Sequence, residues 1–190
     1  MAKMVPGPSD ALIVVDMQRD FLPGGALGVP HGDEVVAPLN EAIRAFERAG
    51  RPVFASRDWH TPDHCSFKAR GGPWPPHCIA GTPGAQFADD LQLSGSAIVV
   101  SKAQSADADS YSAFGGTDLA QQLERSGVKR VFVGGLATDY CVLNTVLDAL
   151  AAGFEVVVLS DAVRAVEVSP GDGARAIAKM EQAGAHLQSA

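Results

Sequence analysis

The chain has 190 residues, 46% of them apolar and 19% charged, which is long enough for a buried core and too apolar for a disordered protein. Its formal net charge of −7 argues against nucleic acid and anionic membranes as partners, and no apolar run approaches the length of a membrane span. Residues 1–8 lack a secretion signal and the three cysteines are too few for a disulfide framework, so we expect one cytoplasmic domain over residues 1–190 with reduced thiols.

Short apolar segments recur along the chain, and each is typical of a strand covered on both faces in a parallel sheet. They are Ala11–Asp16, Pro52–Ser56, Ala97–Ser101, Arg130–Gly134 and Phe154–Leu159, with a last short strand expected near Ala185–Gln188. Helical patterns lie between them at Val35–Ala49, Asp118–Ser126, Asp139–Ala152 and Gly173–Ala183. This alternation predicts an α/β fold, a three-layer αβα sandwich around a doubly wound, mostly parallel sheet of five to six strands.

One long segment, residues 57–87, interrupts this alternation with prolines, glycines and three of the five histidines. Loops of this length inside a compact domain are usually functional. Asp58 and His60 have the i, i+2 spacing that aims two side chains the same way along an extended chain, and His77 can fold back towards them. Carboxylate and imidazole ligands suit Zn²⁺, Fe²⁺ or Mn²⁺.

Other residues of the same loop compete for this metal role. Hydrogen-bonded loop histidines are commoner than metal ligands, and a structural zinc site with a cysteine ligand is a further alternative, although no close Cys-x-x-Cys pair supports it. The rival ligands are His64, Cys65, Ser66 and Cys78.

Cys141 follows the fourth predicted strand and a glycine turn, and it opens a predicted helix. Thr138 suits the N-cap of that helix and Asp139 its first turn, so we expect the sulfur to lie among unpaired N–H groups at the positive end of a helix dipole. Such an environment lowers a thiol pKa and favours the thiolate. An inert core cysteine is the commoner alternative, but open α/β sheets bind their ligands at this type of junction.

Three reactive side chains follow three different predicted strands: Asp16 the first, Lys102 the third and Cys141 the fourth. The carboxyl ends of the strands converge in a doubly wound sheet, which brings together an acid, an amine and a thiol. These groups suit the roles of proton acceptor, charge partner and nucleophile. Taken singly, Asp16 fits a turn or cap residue as well as it fits a catalytic acid. Lys102 alone likewise fits a solvated charge at the rim as well as it fits a catalytic residue.

Aromatic residues lie close in sequence to these reactive groups, which indicates a site for a flat aromatic substrate. Core packing is the alternative for each of them taken alone. They are Phe21, Trp74, Tyr111 and Tyr140.

Five motifs, in this order along the chain, carry a resemblance to a known family. They are Val15-Asp-Met-Gln-Arg-Asp-Phe21, Arg57-Asp-Trp-His-Thr-Pro-Asp-His-Cys-Ser-Phe67, Gly72-Pro-Trp-Pro-Pro-His-Cys-Ile79, Gly81-Thr-Pro-Gly-Ala85 and Gly135-Leu-Ala-Thr-Asp-Tyr-Cys-Val142. A lone Asp-x-His proves little, but the set is specific. From Leu12 to about Gly184 the chain resembles the nicotinamidases of the isochorismatase-like cysteine hydrolase superfamily.

The resemblance implies an amidohydrolase of NAD salvage that converts nicotinamide to nicotinate and ammonia through a cysteine thioester. It also implies one divalent metal ion that positions the pyridine ring. Both monomers and larger assemblies occur in the superfamily, so a homo-oligomer is compatible with it. The implied catalytic residues are Asp16, Lys102 and Cys141, and the implied metal ligands are Asp58, His60 and His77.

The resemblance further implies an oxyanion hole made of the N–H groups of Ala137 and Cys141, with a cis peptide between Leu136 and Ala137. Its pyridine pocket corresponds to Phe21, Trp74 and Tyr111, while His64 and Ser66 match positions that vary in their closeness to the metal. The sequence of Ala103–Ser110 departs from the sequence that is usual for this loop in the family.

Other chemistries stay open at this point. The nearest is a related cysteine amidase of the same superfamily that acts on a carbamoyl or ureido substrate. A hydrolase whose nucleophile is metal-bound hydroxide would leave Cys141 structural. Vinyl ether hydrolysis of the isochorismatase type does not need the cysteine, and a non-catalytic binder or redox sensor would use an activated thiol without releasing ammonia.

Overall fold

The computed structural model describes residues 4–190, so Met1–Lys3, part of the segment expected to lack a secretion signal, lie outside the described residues. Within them the apolar segments form a six-stranded sheet in the order β3-β2-β1-β4-β5-β6, and every neighbouring pair is parallel. The predicted doubly wound α/β fold is therefore confirmed. The strands are β1 (Asp10–Val15), β2 (Val53–Asp58), β3 (Ile98–Lys102), β4 (Arg130–Leu136), β5 (Glu155–Arg164) and β6 (His186–Gln188).

Helices cover both faces of the sheet because successive side chains of a buried strand point to opposite faces. The helices are α1 (Val36–Arg48), α2 (Leu119–Arg125), α3 (Leu143–Ala151) and α4 (Asp172–Gln182). In β1, Leu12 and Val14 pack into one apolar core with α1, whereas Ile13 and Val15 pack into a second core with α2, α3 and α4. Among residues 4–190 no helix is long and apolar enough to cross a membrane.

The strand order reverses between β1 and β4, which both pair with partners further out in the sheet. In open α/β sheets, ligands bind at the carboxyl ends of the strands beside such a reversal. β2 and β4 run to Asp58 and Leu136, beyond the predicted ends at Ser56 and Gly134. The longer β2 brings Asp58 to the same edge as the ends of β1 and β4.

The connection from β2 to β3 has no α-helix between residues 59 and 97, as expected for the long loop predicted at residues 57–87. It contains two short 3-10 turns, Lys68–Arg70 and Pro83–Ala85. Hydrogen bonds from Arg19 N–H to the Gln86 carbonyl and from Ala88 N–H to the Met17 carbonyl attach it to the turn after β1. The loop is therefore held against the edge where the reactive residues converge.

The helix predicted from Asp139 starts with a different type of turn and a different N-cap residue. Thr138–Val142 forms a π-helical turn that leads into α3, its N-cap is Ala137, and no side chain caps it, so the prediction of Thr138 as N-cap is wrong. Asp139 lies in the first turn, as predicted, and accepts hydrogen bonds from the N–H groups of Val166 (2.9 Å) and Glu167 (3.0 Å). Its carboxylate is used to hold the segment after β5, which sequence alone did not reveal.

Candidate active site

Asp16 comes directly after β1 and is completely buried. Its backbone has a φ of 48°, a left-handed conformation that is uncommon outside glycine and frequent at functional sites. The hydroxyl of Ser56 donates to Asp16 Oδ1 at 2.6 Å, and Oδ2 lies 3.0 Å from the Lys102 Nζ atom. In the described part of the chain, Oδ2 has no aligned hydrogen-bond donor, so this oxygen is available to accept a proton.

Lys102 is the last residue of β3 and is 1% exposed. Its ammonium group lies between the carboxylates of Asp16 and Asp58, donates to the Ser110 carbonyl at 3.1 Å, and lies 3.7 Å from Cys141 Sγ. Burial lowers the pKa of Lys102, but the two carboxylates outweigh this effect and hold the pKa well above its usual value. Lys102 is therefore a permanent cation shared by both acids.

Cys141 lies in the π-helical turn after β4 and is 6% exposed. Its sulfur and one oxygen each of Asp16 and Asp58 all lie within 4.8 Å of one another. Burial raises the pKa of the Cys141 thiol well above its usual value, and Lys102 opposes this shift while the two carboxylates add to it. The predicted lowering of this pKa is therefore wrong for the resting site, because desolvation and two acids outweigh one cation.

The proton balance between Asp16 and Cys141 follows from the same causes. Burial raises the pKa of Asp16, and Lys102 partly opposes it. A carboxylate with a raised pKa is a stronger base, and a thiol with a raised pKa retains its proton more firmly. The directions of these two shifts are consistent with a thiol beside a carboxylate in the resting site.

Asp58, His60 and His77 come together as the spacing predicted, with one ligand atom of each within 4.8 Å of the others. His60 Nδ1 contacts the Ala103 carbonyl at 3.2 Å and His77 Nδ1 the Pro75 carbonyl at 2.8 Å. These bonds assign the proton of each ring to Nδ1 and leave a lone pair on Nε2, the usual arrangement of metal-binding histidines.

The electrostatics of this cluster fit a divalent cation. His60 Nε2 is buried without a hydrogen-bond partner in the described residues and lies 3.4 Å from Asp58 Oδ2, while His77 Nε2 lies 4.0 Å from the same oxygen. Burial lowers the pKa of His77, which favours its neutral form. Burial raises the pKa of Asp58, but the Lys102 ammonium group outweighs this effect and holds the pKa below its usual value. Three facing lone-pair atoms in a buried cluster repel one another unless a cation lies between them.

His64 and Ser66, the second-tier metal candidates, contact each other instead. His64 Nδ1 lies 2.8 Å from Ser66 Oγ, and His64 Nε2 lies 3.2 Å from the Ala108 carbonyl. Both ring nitrogens are thus engaged, and the ring centroid lies 4.1 Å from that of His60. Of the rival cysteines, Cys78 lies in an apolar core where burial raises its pKa, so it is a poor thiolate ligand.

A pocket opens above Cys141 and is shared with Asp58 and His77. The Trp74 indole N–H donates to the Tyr111 hydroxyl at 3.0 Å, and both rings pack edge-on against Tyr140. The sequence had indicated the aromatic residues but gave no signal for the apolar ones. The full lining is Phe21, Leu27, Val29, Asp58, Trp74, His77, Tyr111, Ala137, Tyr140, Cys141 and Val166.

The expected cis peptide between Leu136 and Ala137 is present. The Ala137 carbonyl accepts hydrogen bonds from the N–H groups of Tyr140 (3.1 Å) and Val142 (3.0 Å), which orients the backbone on either side of Cys141. Ala137 and Cys141 both line the cavity. Their N–H groups lie in the segment where the resemblance implies an oxyanion hole.

Replacing Lys102 with methionine is expected to lower the free energy of unfolding by about 3–5 kcal/mol, because it leaves two buried carboxylates facing each other without a cation. Urea unfolding of the metal-free protein measures this change. Lys129, an exposed lysine, provides the matched control, and its methionine variant should change stability by less than about 0.5 kcal/mol. Equal losses for the two variants would contradict the shared role of Lys102.

Comparison with known proteins agrees with the fold. A family model described as an isochorismatase domain matches residues 10–190. The chain is 40% identical to the nicotinamidase of Escherichia coli strain K12 over an alignment of 201 residues. The alignment covers 95% of this chain and 94% of that protein.

Two solved structures are similar along nearly their whole length. One is the pyrazinamidase of Pyrococcus horikoshii in complex with zinc, with 51% identity, a TM-score of 0.92, and coverage of 96% of this chain and 100% of that chain. The other is PnC1 from L. infantum in complex with nicotinate, with 38% identity, a TM-score of 0.90, and coverage of 98% and 96%. With a matching family model over residues 10–190 and relatives of this similarity, the chain belongs to the isochorismatase family.

Proposed function

We propose that this protein hydrolyses nicotinamide to nicotinate and ammonia through a thioester on Cys141. The observation that carries the proposal is the convergence of Asp16, Lys102 and Cys141 beside the Asp58, His60 and His77 cluster, with an aromatic cavity above them. The similarity to a nicotinamidase and to a nicotinate-bound structure supports the same substrate class. Cytoplasmic placement stays a prediction from the sequence, and a part in NAD salvage and a homo-oligomeric assembly stay predictions from the resemblance.

In the first half of the reaction, Asp16 Oδ2 takes the proton of the Cys141 thiol while the sulfur bonds to the carboxamide carbon. The electron pair of the C=O bond moves to oxygen, and the N–H groups of Ala137 and Cys141 stabilise that oxyanion. The carbonyl then re-forms, the C–N bond breaks, and Asp16 gives its proton to the departing nitrogen. Ammonia leaves, and the acyl group stays on sulfur as a thioester.

In the second half, Asp16 removes a proton from a water molecule while the oxygen of that water bonds to the thioester carbon. The carbonyl re-forms as the C–S bond breaks, the sulfur recovers the proton from Asp16, and nicotinic acid is released, which loses its remaining proton to solvent and becomes nicotinate. Lys102 keeps its charge throughout and limits the cost of burying Asp16 as a carboxylate. The raised pKa of Asp16 suits both directions of this proton shuttle, since acid and base strengths are then better balanced.

Asp58, His60 and His77 would hold one divalent ion, for which the zinc complex of a 51% identical relative makes zinc the first choice over iron or manganese. Bound there, the ion supplies a ligand position for the pyridine nitrogen, directly or through water, which orients the amide towards sulfur. His64 and Ser66 contact each other and the loop instead, so we propose three protein ligands. Phe21, Trp74 and Tyr111 would enclose the ring.

The test is release of ammonia and nicotinate from nicotinamide by the purified protein, with and without a chelator. We expect turnover that falls on chelation and returns on adding zinc. Turnover of a carbamoyl or ureido substrate, with none of nicotinamide, would overturn the proposed substrate. Full activity after alkylation of Cys141 would instead favour the metal-hydroxide hydrolase in which Cys141 is structural.

Replacing His77 with alanine is expected to weaken zinc binding by more than about 100-fold, since even loss of an outer partner costs about 10- to 100-fold. The KM for nicotinamide should rise because the pyridine ring is no longer oriented. Metal analysis and steady-state kinetics measure both effects. His186, an exposed histidine of β6, is the matched control, and its alanine variant should retain zinc and activity. Unchanged kinetics in metal-free His77→Ala would refute the positioning role.

A further inference from the structure

Gln18, in the turn after β1, is completely buried and has no part in the proposed proton transfers. Its amide group contacts both backbone polar groups of Asp58: the side-chain oxygen accepts the Asp58 N–H at 2.8 Å, and the side-chain nitrogen donates to the Asp58 carbonyl at 2.8 Å. The same nitrogen donates to the Ala85 carbonyl at 2.9 Å. One side chain thus fixes the backbone of a single residue from two directions.

These bonds replace a missing stretch of β-ladder. The pairing of β1 with β2 ends at Val14 and Ala55, because the chain turns at Asp16, whereas β2 continues to Asp58. On its other side Asp58 pairs with Lys102 of β3. Without Gln18, the N–H and C=O groups of Asp58 that face β1 would be buried and unpaired, and such groups are costly. The Gln18 amide therefore acts as the strand partner of Asp58.

Asp20, in the same turn, performs a related task for the histidines. Its Oδ2 accepts the Cys78 N–H at 2.7 Å, directly after His77 in the chain. Cys78 has a φ of 46°, which a cysteine rarely adopts unassisted. The Cys78 carbonyl in turn accepts the His60 N–H at 3.0 Å. Asp20 thus holds the residue that connects the backbones of His60 and His77.

We infer that Gln18 and Asp20 are positioning residues that set the geometry, and hence the affinity, of the metal cluster. Gln18 fixes Asp58, whose two carboxylate oxygens face Lys102 and the histidines, and Asp20 fixes the segment between His60 and His77. The turn after β1 therefore preorganises ligands that lie in a different part of the chain. The inference rests on the proposed function only in taking these three residues as metal ligands.

The test is the dissociation constant for zinc, measured on the full-length protein without substrate by competition with a chromophoric chelator. Gln18→Met keeps the length of the side chain and removes its hydrogen bonds, and we expect it to weaken zinc binding by about 10- to 100-fold. Gln86→Met is the matched control, since the Gln86 side chain is exposed and its hydrogen bond within the described residues goes to the Thr82 carbonyl of its own turn. The control should bind zinc within about twofold of the unaltered protein.

Asp20 provides a second, milder pair of variants in case Gln18→Met does not fold. Asp20→Ala removes the acceptor for Cys78 and should weaken zinc binding by about tenfold or more, whereas Asp20→Asn keeps an acceptor oxygen and should recover most of the affinity. A purely structural role would lower the melting temperature of the metal-free protein and leave the zinc affinity unchanged.

The outcomes separate this inference from the proposed function. Folded Gln18→Met with the zinc affinity of its control, or Asp20→Ala and Asp20→Asn with equal affinities, would overturn the inference. Zinc affinities that shift as expected in a protein that never releases ammonia would uphold the inference and refute the proposed reaction. An unaltered chain that does not bind zinc would overturn both the metal part of the proposed function and this inference.

Discussion

Replacing Cys141 with alanine is expected to lower kcat for nicotinamide by about 10⁴-fold or more, the scale seen when a covalent nucleophile is removed from a hydrolase. The reason is that the sulfur is the atom that bonds to the carboxamide carbon, and alanine offers no replacement. Zinc binding should be nearly unchanged, because the cluster of Asp58, His60 and His77 does not include the sulfur. Ammonia release and metal content, measured on the same sample, check both expectations.

Cys65→Ala is the matched control, since Cys65 is a half-buried free cysteine outside the proposed triad. It should retain activity within about threefold, as surface-accessible substitutions away from special features usually do. An alkylating reagent should inactivate the Cys65→Ala variant, and bound nicotinamide should slow that loss. Appreciable turnover by Cys141→Ala would remove the covalent scheme and leave the thiol a structural role.

Asp16→Asn should be the second most damaging substitution, with kcat lowered by about 10²- to 10⁴-fold. Asparagine keeps the size of the side chain and an oxygen that accepts from Ser56, but its amide cannot take a proton from sulfur. The sulfur of this variant no longer has the Asp16 carboxylate beside it to take its proton as it attacks the carboxamide carbon. Steady-state kinetics with nicotinamide measure the loss, and a zinc determination verifies that the metal cluster is intact.

Ser56→Ala provides the comparison for Asp16→Asn. It removes the hydrogen bond of 2.6 Å to Asp16 Oδ1 and leaves the carboxylate able to carry a proton, so the expected loss is about tenfold at most. A near-normal rate in Asp16→Asn would refute the acid–base role. Equal losses in both variants would indicate that the site is sensitive to any change around Asp16 rather than to its proton.

The main features of the fold and of the triad could be predicted because they depend on periodicity. Alternating strand and helix patterns determine a parallel sheet, and parallel strands bring their carboxyl ends to one edge. Asp16, Lys102 and Cys141 each follow or end such a strand, so their convergence is a consequence of topology. The proximity of Asp58 and His60 could also be predicted from periodicity, since alternate side chains of an extended chain point to the same side.

Features that depend on tertiary contacts were out of reach of the sequence. The prediction of a thiolate at Cys141 was wrong because it considered only the local helix geometry, whereas burial beside two carboxylates raises the pKa of the thiol. Asp139 lies in the first helical turn as predicted, but nothing in the sequence indicated that its carboxylate holds Val166, an apolar residue far along the chain that lines the cavity. Gln18 stood inside a recognised motif, but its task appears once β2 is seen to extend beyond its pairing with β1.

Rapid quenching of the protein during turnover of nicotinamide, followed by mass spectrometry of its peptides, tests the covalent mechanism most directly. The account predicts a nicotinoyl group on the peptide that carries Cys141, formed before nicotinate is released and absent from the other cysteine peptides. Turnover with no acyl group on Cys141 at any quench time, together with ammonia release by Cys141→Ala at the rate of the unaltered protein, would contradict it.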